Sequence, residues 1–252
     1  MFEIFILSLI QGISEFIPVS SSSHLILFSN YIDFENQGLS IDVSLHIGSF
    51  LAVIVFFNKE ILSFFKNRDL FYKIILSSIP IMILGLVLVK TSLIDKLRSI
   101  EVIGWATFIF GIVLYISDKF EFKNNLKKDF SYKVAFIIGL FQVLALVPGV
   151  SRSGIAITAA RFFNFNRVDS TKISFLLSIP TLAYVSIYGL SKNIENQDLS
   201  FSTLNIISII LSFIFSLITI KYFLQFIKKF SLKVFVIYRI LLGIIILYSV
   251  YL

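Results

Sequence analysis

Cysteine is absent from this chain of 252 residues, and histidine occurs only twice. Without thiols there is no disulfide, no thiolate metal site and no cysteine nucleophile. With two histidines, a phosphatase that uses one histidine as nucleophile and another as acid is hard to assemble. The sequence also lacks a Gly-x-x-x-x-Gly-Lys phosphate loop, a His-Glu-x-x-His zinc motif and a Gly-x-Ser-x-Gly elbow. Candidate chemistry must therefore come from other side chains and other arrangements.

Charged residues are scarce, at 15%, whereas hydrophobic residues make up 57% of the chain and the mean hydropathy is +0.93. Six apolar runs approach the ~20 residues that cross a bilayer. They are 41–57, 74–89, 102–117, 173–190, 203–220 and 234–251. We predict an all-α polytopic membrane protein with six transmembrane helices. The N-terminus has no cationic region and no small-residue cleavage site, so we expect no removable signal peptide.

The formal net charge of +7 comes from basic residues in the loops that flank the membrane. This placement indicates orientation signals and attraction to anionic membrane lipids. A soluble domain with a basic face is missing, so we expect no nucleic-acid partner.

Four further apolar pieces are too short to span a membrane: 4–19, 24–32, 134–147 and 155–163. They form two pairs, each interrupted by a patch of proline and serine. Pro18 and Pro148 lack a backbone donor, and Gly149 permits a tight turn. Each pair therefore predicts a re-entrant helical hairpin, 4–32 and 134–163, whose irregular backbone is buried in protein or lines a wet cavity.

The two patches are related by a shift of 131 residues, which superimposes four pairs of identical residues: Gln11 and Gln142, Val19 and Val150, Ser20 and Ser151, Ser22 and Ser153. The chemically distinctive residues do not match, because Glu15 and His24 occur only in the first patch and Arg152 only in the second. Two related scaffolds thus bring different charges to one place.

The loop charges predict an orientation by the positive-inside rule. Sixteen basic residues fall on one side: Lys59, Lys66, Arg68, Lys73, Lys119, Lys123, Lys127, Lys128, Lys133, Arg161, Arg167, Lys172, Lys221, Lys228, Lys229 and Lys233. The other side keeps Lys90, Lys96, Arg98 and Lys192, beside Asp33, Glu35, Glu195 and Asp198. We expect both termini outside. An odd number of crossings per half makes 1–120 and 121–252 inverted-topology repeats of a single membrane domain, with a site near the midplane.

Gln11 and Glu15 are four residues apart and so share one helix face. Their oxygens suit a hard cation such as Mg²⁺ or Ca²⁺. Alternatively, Glu15 caps or braces the break, or pairs with Arg152. Both interpretations remain open at the level of the sequence.

The serine run 20–23 ends in His24, so Ser21 and His24 lie three residues apart on one face of a helix that begins there. This spacing can present a hydroxyl to a base, as nucleophilic catalysis requires. The alternative is that the serines cap the helix start, and we expect at least one of them to do so.

The second patch, Pro148 to Gly154, predicts an anion site. A glycine turn leading into a helix presents free backbone N–H groups, and Arg152 adds a planar guanidinium that matches phosphate oxygens. Ser151, Ser153 and Thr158 are further donors. Snorkelling or a salt bridge of Arg152 is the weaker alternative at this depth.

For two other ionisable residues, His46 and Arg239, we expect a structural role and not a role in the active site. His46 follows Asp42 by one turn at the outer end of the first span, where we expect a satisfied interfacial histidine. Arg239 lies in the last span near its inner end, and snorkelling accounts for it.

At these motifs the chain resembles the bacterial undecaprenyl-diphosphate phosphatase family, also known as the bacitracin-resistance protein family. The resemblance covers essentially the whole chain. Gln11 and Glu15 match its (Glu/Gln)-x-x-x-Glu element, residues 18–24 match Pro-Val-Ser-Ser…His, and residues 148–158 match Pro-Gly-x-Ser-Arg-Ser…Thr, with Thr158 at the end of the element. In this order and at this separation the motifs are highly specific.

The resemblance implies an enzyme of the bacterial plasma membrane that removes the terminal phosphate of a C55 polyprenyl diphosphate and so recycles the lipid carrier for wall synthesis. It also implies a divalent cation, an outward-facing site and an inverted-repeat fold. By its motifs Glu15 is the essential acid and Gln11 its partner. Ser21 and His24 match the motif serine and histidine, and Arg152 matches the phosphate-binding arginine. Two departures are Gln11 for an acid and Ser23 where the family often has glycine.

A secondary transporter or flippase for a lipid phosphate or small anion is the rival hypothesis, because such proteins also combine inverted repeats, broken helices and buried charges. Metal-dependent phosphate release separates the two. The sequence leaves open which of the serines 20–23 acts, whether a phosphoserine forms, and whether the chain is a homodimer.

Overall fold

The computed structural model describes residues 1–31, 38–64, 68–91, 96–195 and 202–252, and the helices account for nearly all of these ranges. The helices are α1 (Phe2–Ser14), α2 (Ser21–Tyr31), α3 (Leu39–Phe56), α4 (Asn58–Ser63), α5 (Arg68–Lys90), α6 (Ile100–Asp118), α7 (Leu126–Asp129), α8 (Tyr132–Val143), α9 (Arg152–Phe162), α10 (Arg167–Glu195), α11 (Thr203–Lys229) and α12 (Lys233–Tyr251). A short 3₁₀ turn, Leu144–Leu146, continues α8.

Six of these helices are long and apolar enough to cross a membrane: α3, α5, α6, α10, α11 and α12. They coincide with the six predicted runs, so the prediction of an all-helical chain with six spans is confirmed. Several predicted features fall outside the described residues: the last residue of the hairpin 4–32, and the loop charges of Asp33, Glu35, Lys66 and Asp198.

The four short helices α1, α2, α8 and α9 have 13, 11, 12 and 11 residues, which is too few to span a bilayer. The break between α1 and α2 ends at Ser20, and the break between α8 and α9 ends at Ser151. Both serines have left-handed backbones, with φ of 77° and 71°. This conformation is unusual for a residue other than glycine. The two breaks therefore both have a positive φ at corresponding serines.

Each of these serines caps the helix that follows it. The Ser20 hydroxyl accepts from the Ser23 backbone N–H at 3.4 Å, and the Ser151 hydroxyl accepts from the Gly154 N–H at 3.1 Å. The cap satisfies one of the backbone donors that a helix start leaves open. The predicted capping serine of the first patch is thus Ser20.

Small and polar side chains line the contact between α3 and α11. The Ser49 hydroxyl lies 3.1 Å from the hydroxyls of both Ser212 and Ser216. Beside it, a Cβ on Gly48 would collide with the backbone carbonyl of Ile209. Small residues let helix backbones approach closely where lipid provides no hydrophobic driving force, and hydroxyl pairs add attraction.

The first short helix of each patch packs against a span from the other half of the chain. Helix α1 contacts α11, where a Cβ on Gly12 would lie 2.5 Å from the Cβ of Phe215. Helix α8 contacts α5, where the Ser77 hydroxyl donates to the Ala135 carbonyl at 2.7 Å. This exchange places both breaks in the interior of the protein.

Arg239 holds the two breaks together, which contradicts the prediction that it snorkels. Its side chain is fully buried and donates to the carbonyls of Pro18 at 3.2 Å, Gly149 at 2.7 Å and Thr107 at 3.4 Å. The breaks interrupt the helical hydrogen bonding and leave carbonyls without helical donors. The guanidinium satisfies these carbonyls, so it has partners in the interior and does not need to reach water.

Candidate active site

A cavity of about 280 Å³ lies against both breaks and is lined by residues from both halves. The first break contributes Glu15 and Ser21, the second contributes Ser151 and Arg152, and α3 contributes His46. The remaining walls come mainly from α5 and α10 and are largely apolar, with Ile81, Met82, Val89, Leu182, Tyr184, Val185 and Tyr188 among them. The cavity therefore has one polar end and a long apolar wall.

Glu15 and Arg152 form an ion pair at the polar end. Arg152 Nη2 donates to Glu15 Oε1 at 2.8 Å, and Nη1 donates to the Ser174 carbonyl at 3.2 Å. The side chains are 7% and 12% exposed, so water screens the pair weakly. The pairing that the sequence left open is thus present, and it occupies both residues that were predicted to bind metal and phosphate.

The second carboxylate oxygen of Glu15 accepts from Ser21 and Gln11. The Ser21 hydroxyl donates to Oε2 at 2.6 Å, and the Gln11 amide donates to the same oxygen at 3.2 Å. A carboxylate that already accepts the hydroxyl hydrogen is positioned to take the proton when the serine oxygen attacks. The structure thus pairs Ser21 with Glu15.

No hydrogen bond joins the described side chains of His24 and Ser21, although the two share α2. Its Nδ1 lies 2.6 Å from the Ser20 carbonyl, which only accepts, so this nitrogen carries the hydrogen. The lone pair of Nε2 therefore accepts the Tyr238 hydroxyl, at 2.6 Å. The two rings also stack, with centroids 5.8 Å apart. His24 is not part of the cavity lining.

The predicted phosphate-binding residues divide into two groups. Ser151 and Arg152 line the cavity. Ser153 is buried and donates to the Ile17 carbonyl at 2.8 Å, and Thr158 is buried in α9 away from the lining.

Gly149 serves the packing of the second break. Its backbone has φ of 104°, and an added Cβ would lie 2.7 Å from the carbonyl oxygen of Ile103 on α6. Its N–H donates to the Ser20 hydroxyl at 3.3 Å, so it also joins the two breaks. A larger residue would separate the break from α6.

His46 lines the cavity, which corrects its assignment as a satisfied interfacial histidine. Its Nδ1 lies 2.7 Å from the Asp42 carbonyl, one helical turn back, and Nε2 has no hydrogen-bond partner among the described residues. The sequence held one signal for this role, an ionisable side chain inside an apolar span. The direction of the side chain depends on how α3 packs, which the sequence does not specify.

Comparison with known proteins decides the family. A family model described as Bacitracin resistance protein BacA matches residues 4–245. The chain belongs to this family.

The relatives of this BacA family member are similar along their full lengths. An undecaprenyl-diphosphatase of Pelagibacter ubique is 50% identical over 250 residues, covering 99% of this chain and 97% of the relative. Undecaprenyl-diphosphatases of Jannaschia sp. and Saccharophagus degradans are 38% and 39% identical. These matches cover 100% and 94% of this chain, and 99% and 93% of the relatives.

Gln11 and Glu15 are the two residues of this BacA family member that were predicted to hold a divalent cation. Gln11 Oε1 is buried and has no hydrogen-bond partner within the described ranges, and the amide nitrogen of the same side chain donates to the Glu15 carboxylate. Among those residues, no group of three or more histidine, cysteine or acidic side chains converges. One amide and one carboxylate oxygen fit Mg²⁺ or Ca²⁺ when phosphate oxygens and water complete the coordination, as is usual for Mg²⁺.

Proposed function

We propose that the chain hydrolyses undecaprenyl diphosphate to undecaprenyl phosphate and inorganic phosphate, the activity in the names of its relatives. The observation that carries the proposal is the cluster of Glu15, Ser21 and Arg152 in a cavity inside a membrane-spanning BacA family chain. The product is the lipid carrier for peptidoglycan synthesis. Recycling it supports cell-wall biogenesis and bacitracin resistance.

The substrate docks with its diphosphate at the polar end of the cavity. Arg152 exchanges its contact with Glu15 for phosphate oxygens, since a guanidinium binds either anion through two parallel hydrogen bonds. The first backbone N–H groups of α9 add a favourable dipole at the same place. This exchange frees Glu15 at the moment when substrate arrives.

The attacking oxygen belongs to Ser21 or to a water molecule that Ser21 positions. It bonds to the terminal phosphorus as the bond from that phosphorus to the bridging oxygen breaks. The electrons of the broken bond stay on undecaprenyl phosphate, the leaving group. Glu15 Oε2 takes the proton of the attacking group. In the Ser21 route, water then cleaves the phosphoserine and restores the hydroxyl.

His24 was predicted to move this proton, and to do so its ring would have to leave its present partners and turn towards Glu15. Its Nε2 would first release the Tyr238 hydroxyl, 2.6 Å away. Gly149, Ser153 and Thr158 support the shape of the anion site through the second break and the helix that follows it.

Glu15 and Gln11 would hold a divalent cation, Mg²⁺ or Ca²⁺. When bound, it supplies positive charge that neutralises phosphate oxygens in the transition state. Of these two side chains, Gln11 has the oxygen without a hydrogen-bond partner among the described residues, Oε1, so it is the first ligand that we assign. Removing the cation with a chelator should stop phosphate release.

The prenyl tail lies along an apolar groove between α5 and α10. A second cavity there is lined by Phe64, Phe71, Ile74, Ile75, Met82, Ile179, Pro180, Ala183, Tyr184 and Ile187. It shares Met82 and Tyr184 with the cavity that holds the cluster. A hydrocarbon chain that enters from the bilayer between these helices therefore reaches the polar end without crossing water.

The proposed architecture is an inverted-topology repeat of residues 1–120 and 121–252, with re-entrant hairpins 4–32 and 134–163. Two observations support it. The left-handed serines Ser20 and Ser151 occupy corresponding positions, and α1 packs on α11 as α8 packs on α5. We place both termini outside, so the cavity, which borders the N-terminal half of α3 and the C-terminal half of α10, faces outward.

Phosphate release from undecaprenyl diphosphate by the purified protein in detergent tests the function. Hydrolysis that needs a divalent cation supports it, and transport of the lipid without hydrolysis would leave the rival transporter hypothesis standing. A reporter fused after Leu252 tests the topology, and a cytoplasmic signal would overturn the orientation.

A further inference from the structure

We infer that His46 is a substrate-binding residue that hydrogen-bonds an oxygen of the diphosphate through Nε2. This inference rests on the proposed function and adds a third protein contact to the phosphate site. The sequence motifs that carry the family resemblance do not include His46.

The ring of His46 is held in place by its own helix. Nδ1 donates to the Asp42 carbonyl at 2.7 Å, which fixes the tautomer and directs Nε2 away from the backbone. Within the described ranges Nε2 has no hydrogen-bond partner, and the residue is half-buried in the cavity lining. A polar atom that is fixed, unpartnered and at a cavity wall is arranged to contact a ligand.

The two histidines differ in whether Nε2 is free to bind a ligand. Nε2 of His24 already accepts the Tyr238 hydroxyl at 2.6 Å and lies outside the cavity lining. His46 lines the same cavity as Glu15, Ser21 and Arg152, and its Nε2 has no hydrogen-bond partner among the described residues. Of the two imidazoles, His46 is the one that a ligand reaches without breaking an existing hydrogen bond.

The charges of the site indicate that this ligand atom is a phosphate oxygen. Among the cavity-lining residues, Arg152 is the one permanent cation, and Glu15 neutralises it. A diphosphate therefore needs further partners. One proton lies between Nε2 and the phosphate oxygen in this contact. An imidazolium donates it to the oxygen, and a neutral Nε2 accepts it from a protonated phosphate oxygen.

Substitution at position 46 separates binding from proton transfer. Glutamine in His46→Gln keeps a donor for a phosphate oxygen but cannot carry a proton between groups. Leucine in His46→Leu keeps the volume and removes the hydrogen bond. Phe50→Leu is the matched control, because Phe50 is half-buried one turn further along α3 and does not line the cavity.

The experiment measures kcat and KM for undecaprenyl diphosphate, together with inhibition by inorganic pyrophosphate, on the full-length protein in detergent. We expect His46→Leu to raise KM and the pyrophosphate inhibition constant by about tenfold, the loss of one hydrogen bond to a charged group, with kcat changed less than about threefold. His46→Gln should recover most of this loss, and Phe50→Leu should behave as wild type. Thermal melting of each variant checks that it is folded.

Two results would overturn the inference. One is an unchanged pyrophosphate inhibition constant in folded His46→Leu. The other is an equal loss of kcat in the glutamine and leucine variants, which would identify proton transfer instead. If the wild-type protein releases no phosphate, the proposed function fails. The contact of His46 is then tested by adding inorganic pyrophosphate and measuring the rise in melting temperature of the wild type and of His46→Leu. Equal rises in wild type and His46→Leu, or none in either, would then reject the contact.

Discussion

Arg152 and Glu15, 137 residues apart in the chain, form a buried ion pair with 2.8 Å between Nη2 and Oε1. Each half of the protein supplies one of the two charges, so the site exists only when the halves are assembled. The pair also keeps each group from being an isolated buried charge before substrate binds.

Arg152→Lys should reduce kcat/KM for phosphate release by about ten- to a hundredfold. An ammonium cannot form two parallel hydrogen bonds to phosphate, so one of them is lost, which is worth about 1.5 to 3 kcal/mol. The matched control is Arg167→Lys, which removes a guanidinium that pairs with Asp118 outside the cavity and should leave kcat/KM unchanged. Full activity of the Arg152 variant would remove this residue from the phosphate site.

Glu15→Gln should lower kcat by about a hundredfold or more, since the amide cannot accept the proton of the attacking group. It should also destabilise the empty protein by up to about 3 to 5 kcal/mol, because Arg152 is then buried without its anion. Activity and thermal melting are measured together. The control is Glu101→Gln at an exposed position that contacts Tyr251, for which we expect neither effect. An active, stable Glu15→Gln protein contradicts both roles.

Alanine substitutions along 20–24 should distinguish the serines. Ser21→Ala should abolish phosphate release with little change in melting temperature, because among the described residues its hydroxyl hydrogen-bonds Glu15 alone and the residue lines the cavity. Ser23→Ala should mainly lower stability, since its buried hydroxyl bonds Ser20 at 2.9 Å. If Ser22→Ala is the inactive variant instead, the attacking position is assigned to the wrong serine.

Mass spectrometry of quenched reactions separates the two routes through Ser21. A phosphorylated peptide containing Ser21 would establish covalent attack. Its absence under single-turnover conditions, with activity retained in a slow variant, would favour direct attack by water.

Met82→Trp should narrow the groove where the two cavities meet. We expect KM for undecaprenyl diphosphate to rise about tenfold, equivalent to about two methylene contacts, with a smaller change for farnesyl diphosphate. Ile245→Trp, on the exposed face of α12, is the control and should leave both KM values unchanged. An equal change for both substrates would show that the tail does not occupy the groove.

The six spans and the two broken pairs follow from the sequence, because length and apolarity along the chain decide whether a segment can cross a bilayer. A capping serine within 20–23 also follows from local chemistry, whereas Ser151 was predicted as a phosphate donor and its capping of α9 was not foreseen. His46 and Arg239 were assigned wrongly because their environments depend on the rotation of α3 and α12 against neighbouring helices. Such rotation is set by packing between distant segments, and one sequence does not contain it.

The separation of Ser21 from His24 has a similar origin. The spacing predicted that both side chains share one face of α2. The helix, however, follows Ser20, whose backbone has a positive φ, and its first turn lies against the break. Ser21 therefore contacts Glu15, and His24 reaches Tyr238 on the last span. Sequence spacing describes neighbours along a helix, whereas these partners come from the break and from the end of the chain.

The packing of α1 on α11 imposes an order on biogenesis. The ribosome makes α1 first, but its partner surface at Phe215 is made only when most of the chain has been synthesised. Until then, the face of α1 at Gly12 lacks the helix that packs against it. Helix α1 must therefore stay in the membrane without this packing partner during synthesis, shielded by lipid or by the insertion machinery. A nascent chain truncated before α11 is a natural target for quality control.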